Sequence, residues 1–109
     1  MDKKYSKPFS CLYVEDDASN RTVMQLMMEK AMDVQAISIF EDSYNFMERV
    51  KALPQIPDVI LLDIHVTPLD GFEMLALLRA DPVYRDSKII ALTASVTNEE
   101  IGELRSAGF

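Results

Sequence analysis

Four short apolar runs punctuate the chain, and each empties into polar residues. Cys11-Leu12-Tyr13-Val14 leads into Glu15-Asp16-Asp17, and Val34, Ala36, Ile37 and Ile39 lead through Phe40 into Glu41-Asp42-Ser43. Val59-Ile60-Leu61-Leu62 leads into Asp63, and Ile89-Ile90-Ala91-Leu92 into Thr93. Runs of this length, rich in aliphatic and β-branched side chains, predict strands over residues 9–14, 34–40, 59–63 and 88–93. Between them the apolar period becomes helical. Val23, Met24, Leu26, Met27, Met28, Ala31 and Met32 predict a helix over residues 19–32 that buries a Met-rich face. Glu41-Asp42-Ser43 offers caps for a second helix through Lys51, before Pro54 and Pro57 break the chain. Phe72, Leu75, Leu78 and Arg79 predict a third helix over 72–79. A fourth covers 98–107, with Asn98 as N-cap and Gly108 as C-cap.

The resulting order, β-α-β-α-β-α-β-α, with near-continuous apolar strands, implies one α/β domain. Its parallel sheet is covered on both faces and joined by right-handed crossovers. Residues 1–8 read as a solvated lead-in and residues 9–109 as the domain.

Such a sheet gathers its chemistry at the carboxyl ends of its strands. If the first and third strands are neighbours, a spacing of about 4.8 Å brings the carboxylates of Glu15, Asp16 and Asp63 together. A cluster of this kind repels itself unless protons or a cation neutralise it, and hard oxygen donors with room for water suit Mg2+ or Mn2+. A divalent ion there also accepts a phosphate oxygen, which makes Asp63 a candidate nucleophile toward phosphorus and Thr93 a hydroxyl donor to another phosphoryl oxygen.

Charge narrows the partners. The net charge is −7, from 11 basic and 18 acidic residues, and no Lys/Arg cluster follows a helical face or loop, so nucleic acid and anionic membranes are not expected to bind directly. Cys11 is the only cysteine, which excludes an internal disulfide, fits a reducing cytoplasmic compartment and reads as a small buried apolar residue. Asp17 reads as a loop or capping residue, and Asp70-Gly71 as turn chemistry in which glycine supplies unusual backbone angles. Glu99 and Glu100 read as first-turn charges on the last helix.

From Cys11 to Phe109 the chain resembles a response-regulator receiver domain of two-component signalling. The resemblance rests on Leu12-Tyr13-Val14-Glu15-Asp16-Asp17, Leu61-Leu62-Asp63 with Asp70-Gly71, and Ala91-Leu92-Thr93-Ala94-Ser95. It implies a flavodoxin-like doubly wound sheet of strand order 2-1-3-4. Asp63 would be the phosphoacceptor, Asp16 a direct metal ligand and Glu15 a ligand through water. His65 would bind the metal through its backbone carbonyl with its side chain in solvent, Thr93 would be the switch hydroxyl, and Asp70 and Gly71 would support the loop. The implied donor is a histidine kinase or histidine phosphotransfer protein, and the domain assists only its own phosphorylation and dephosphorylation.

The chain departs from that pattern at two places. Thr67 stands where the family usually has proline four residues after the phosphoacceptor, with Pro68 one later, which implies altered loop rigidity. No lysine follows Thr93, so the family's phosphate-pairing lysine has no counterpart, and its fifth strand and helix lie beyond Phe109. With the fourth strand then an edge, pairing between copies or element swapping is expected. Two other readings have their own tests: a receiver-like interaction module that is never phosphorylated, and a Mg2+-dependent phosphatase with an aspartyl nucleophile. The latter usually carries two aspartates two apart after its first strand, unlike Asp16-Asp17-Ala18-Ser19. The first strand also leads into acids rather than a glycine-rich phosphate loop, which disfavours flavin or nucleotide binding.

Overall fold

Among the described residues, four parallel strands alternate with four helices. They are β1 (Ser10–Val14), α1 (Ala18–Lys30), β2 (Ala36–Phe40), α2 (Phe46–Lys51), β3 (Val59–Asp63), α3 (Gly71–Ala80), β4 (Lys88–Leu92) and α4 (Asn98–Ala107). The structure is a computed structural model that describes residues 10–30, 36–93 and 97–109. Phe9, Ala31, Met32 and Val34, expected within the first strand, first helix and second strand, lie outside the described residues, as do Ala94 and Ser95. The sheet order is β2-β1-β3-β4, as the resemblance implies. Cys11 pairs with Val59 and Val14 with Leu62 in β1·β3, while Val59 pairs with Lys88 and Asp63 with Leu92 in β3·β4.

Alternation of side chains along each strand sorts the apolar residues into two unequal layers. Leu12, Val14, Phe40, Ile60, Leu62 and Ile89 form one face, and α2 and α3 cover it with Phe46, Val50, Met74, Leu75 and Leu78. The opposite face is thinner. There Cys11 and Met28 are buried, with Met24, Ile37 and Leu61 packed against them.

The Met-rich face of α1 is therefore buried only in part. Met28 is enclosed and Met24 half-buried, but Val23, Leu26 and Met27 remain 56%, 52% and 48% exposed. The apolar stripe on this helix is wider than the strip of sheet it touches. Cys11 is buried, as expected of a small apolar residue, and burial pushes its thiol pKa up to about 11.

Helix ends differ from expectation in instructive ways. The segment Glu41-Asp42-Ser43 does not cap α2, which starts later, at Phe46, behind Asn45 in a left-handed conformation with no side-chain cap. Asp42 instead accepts the Tyr44 amide, and the Ser43 hydroxyl turns inward: it donates to the Leu69 carbonyl and accepts from the Leu69 amide, both at 2.7 Å. The Ser43 amide also donates to the Thr67 carbonyl. A buried serine thus braces the loop in which proline is displaced by one position.

Thr97, not Asn98, caps α4. Its hydroxyl accepts the Glu100 amide while the Glu100 carboxylate accepts the Thr97 amide, so two orphan donors are satisfied at once. Asp70 and Glu73 form the same reciprocal box at the start of α3. Gly108 closes α4 in the left-handed region, as expected. Arg79, in the last turn of α3, donates to the carbonyls of Arg85, Ser87 and Gly108 and so ties α3 to the β4 approach and to the end of α4.

Candidate functional site

β1 and β3 deliver the acids. Their register ends at Val14 opposite Leu62, so the chain leaves the sheet with Glu15 beside Asp63. Ligand oxygens of Glu15, Asp16 and Asp63 lie within 4.8 Å of one another. The three acids line an open cleft of about 460 Å³ together with Tyr13, His65 and Thr93. Thr93 follows directly after the last residue of β4, which brings its side chain to the same edge of the sheet.

Each acid has a different setting. Asp16 is exposed, Asp63 half-buried, and Glu15 buried with 6% of its surface accessible. The Asp63 carboxylate accepts the His65 amide at 3.1 Å, which turns the backbone tightly just beyond β3. Glu15 accepts the Tyr13 hydroxyl on Oε1 at 2.9 Å and the Asp17 amide on Oε2 at 3.2 Å. Arg21 reaches back from α1 to donate to the Glu15 carbonyl, which fixes the turn from β1 into the helix.

Crowding shows in the proton affinity of Glu15. Its pKa is raised above the usual carboxylate range, first by burial and then by a hydrogen bond with the Asp63 carboxyl, while the Tyr13 hydroxyl and the Asp17 amide pull it down. The Tyr13 phenol is likewise raised, by burial first and then by its bond to Glu15. An oxygen-only cluster of three crowded carboxylates matches a hard divalent cation in donor chemistry.

Two residues differ from their expected roles. Glu100 is more than a first-turn charge, because besides its capping bond its Oε2 lies 3.7 Å from His65 Nε2. The His65 side chain stays 54% exposed, as expected of a side chain in solvent. Gly71 is not in a left-handed conformation, which among the glycines occurs only at Gly108. It is required by proximity instead: a Cβ there would sit 2.7 Å from the Ile64 Cα. Asp17 does act as a cap, accepting the Asn20 amide at 2.9 Å. Tyr13 was not among the expected site residues, although residues two apart on a strand face the same way and its hydroxyl is thereby aimed at Glu15.

The model of the response regulator receiver domain family matches residues 11–109, and the chain belongs to that family. It is 33% identical over 88 residues to a protein-glutamate methylesterase/protein-glutamine glutaminase of Methanospirillum hungatei, covering 81% of this chain and 24% of the relative. It is 28% identical over 95 residues to the signal transduction histidine-protein kinase BarA of Shigella flexneri, covering 87% of this chain and 10% of that protein. The chain thus spans a quarter or less of these two curated relatives. Among solved structures, the phosphorylated cyanobacterial phytochrome response regulator RcpA superposes with a TM-score of 0.82 at 22% identity, covering 93% of this chain and 76% of that one. It shares the fold. No helix among the described residues is long and apolar enough to cross a membrane.

Proposed function

We propose that Asp63 is the phosphoacceptor of a signalling switch, charged by a histidine kinase or histidine phosphotransfer protein. The observation that carries this reading is the convergence of the Glu15, Asp16 and Asp63 carboxylates, with Thr93 in the same cleft. A carboxylate oxygen of Asp63 forms a bond to phosphorus as the P–N bond of phosphohistidine breaks, and the electron pair remains on the imidazole. Water later attacks the acyl phosphate and restores the carboxylate.

A bound Mg2+ or Mn2+ supplies charge neutralisation and polarises the phosphoryl oxygens. Asp16 and Asp63 are the direct carboxylate ligands in this reading, Glu15 acts through water and His65 through its carbonyl. Thr93 donates its hydroxyl to the transferred group. Asp70 and Gly71 hold the loop that carries Ile64 and His65: Gly71 donates to the Ile64 carbonyl, and Asp70 caps α3. Similarity to a region of a histidine kinase supports a donor of that class.

Incubation with acetyl phosphate, followed by intact-mass measurement, is the direct test. One phosphoryl group per chain is expected with Mg2+ and none with EDTA. A chain that stays unmodified at saturating donor and Mg2+ overturns the reading.

The raised proton affinity of Glu15 gives a second expectation. A group that binds its proton more tightly when folded contributes stability that is present below its unfolded pKa and lost as pH rises through the folded value. The metal-free protein should therefore lose stability as pH rises above the ordinary carboxylate range, and saturating Mg2+ should restore it at the upper end of that window. Urea melts at stepped pH with EDTA or Mg2+ report this directly, and a flat metal-free profile would contradict it.

A further inference from the structure

We propose that Tyr13 is a positioning residue for the cation site, acting through Glu15. The inference rests on the metal-site reading above and assigns a role that reading leaves vacant. Tyr13 lies inside the central strand β1, flanked in register by Ile39 on β2 and Leu61 on β3, and only 3% of its surface is accessible. Held between two aliphatic neighbours, the ring has little room to reorient. Its hydroxyl donates to Glu15 Oε1 at 2.9 Å.

The Asp17 amide holds the other oxygen of the same carboxylate, so Glu15 is gripped from the strand on one side and from the loop on the other. Hydrogen bonds of a neutral donor to a carboxylate are among the stronger ones, and they set orientation as well as energy. Without the phenol, Glu15 keeps one anchor and swings more readily toward the Asp63 carboxylate, since ligand oxygens of the two lie within 4.8 Å of each other. That contact consumes two acids the cation needs. Tyr13 keeps them apart.

A second-layer donor that orients a metal ligand is worth about tenfold or more in metal affinity. Tyr13→Phe, which retains the ring and removes only the hydroxyl, should weaken Mn2+ binding about tenfold by electron paramagnetic resonance titration.

The discriminating measurement repeats the titration in a Glu15→Ala background, where Tyr13→Phe should cause no further loss. Unchanged Mn2+ affinity in the single variant overturns the inference. So does an equal loss in both backgrounds, which would mean that the phenol acts through packing alone. A wild type that binds Mn2+ while Tyr13→Phe has no effect leaves the metal-site reading standing and removes only Tyr13. A wild type that binds no divalent ion removes both.

Discussion

Asp63→Asn should take up no phosphoryl group from acetyl phosphate or a phosphohistidine donor while folding normally. The amide has the size of the carboxylate and can keep its bond to the His65 amide. It lacks the anionic oxygen that must attack phosphorus, and it removes one of three charges that lie within 4.8 Å. Loss of label should therefore come with a metal-free unfolding midpoint at neutral pH no lower than that of wild type, because repulsion falls. Mg2+ should stabilise the variant less. Label on the variant equal to wild type would move the phosphoacceptor elsewhere, and peptide mapping of the label would say where.

Gly71→Ala should be the most damaging single-methyl change. The added carbon would meet the Ile64 Cα at 2.7 Å and its Cγ2 at 2.9 Å, and a backbone atom cannot step aside as a flexible side-chain end can. Overpacking of this kind costs on the order of 2–3 kcal/mol. Because Ile64 directly follows Asp63, the displacement also reaches the site, so divalent-ion affinity should fall with stability. Gly102→Ala provides the control: a Cβ there meets nothing within 4 Å, and alanine in mid-helix should stabilise by about 0.5–1 kcal/mol. Equal denaturant midpoints for Gly71→Ala and wild type would refute the steric account.

Why some of this was readable in the chain and some was not comes down to where information is local. The strands were legible because a parallel strand buried on both faces is a short unbroken apolar run, and Leu12, Val14, Ile60 and Leu62 are such residues. Glu15, Asp16, Asp63 and Thr93 were legible as candidates because each follows such a run, and the strand order then places them together. Ser43 and Gly71 were misread because their reasons lie elsewhere in the chain, at Leu69 and Ile64. Composition identifies a turn former but not its contact. The α1 stripe was read too broadly, since periodicity reports which residues share a face and not how much of that face the sheet can cover. Two misses had a local signal: Tyr13 lies two positions before Glu15 on the same side of its strand, and Thr97 stands three residues before Glu100 in capping-box spacing.

Leu12 and Val14, both fully enclosed, pair with Ile60 and Leu62. Sliding β1 past β3 by a single residue would ease the crowding of the acids, but it would also turn Leu12 and Val14 away from the core. The apolar layer thus acts as a ratchet pawl, holding the negative ends of two strands abreast against their own repulsion.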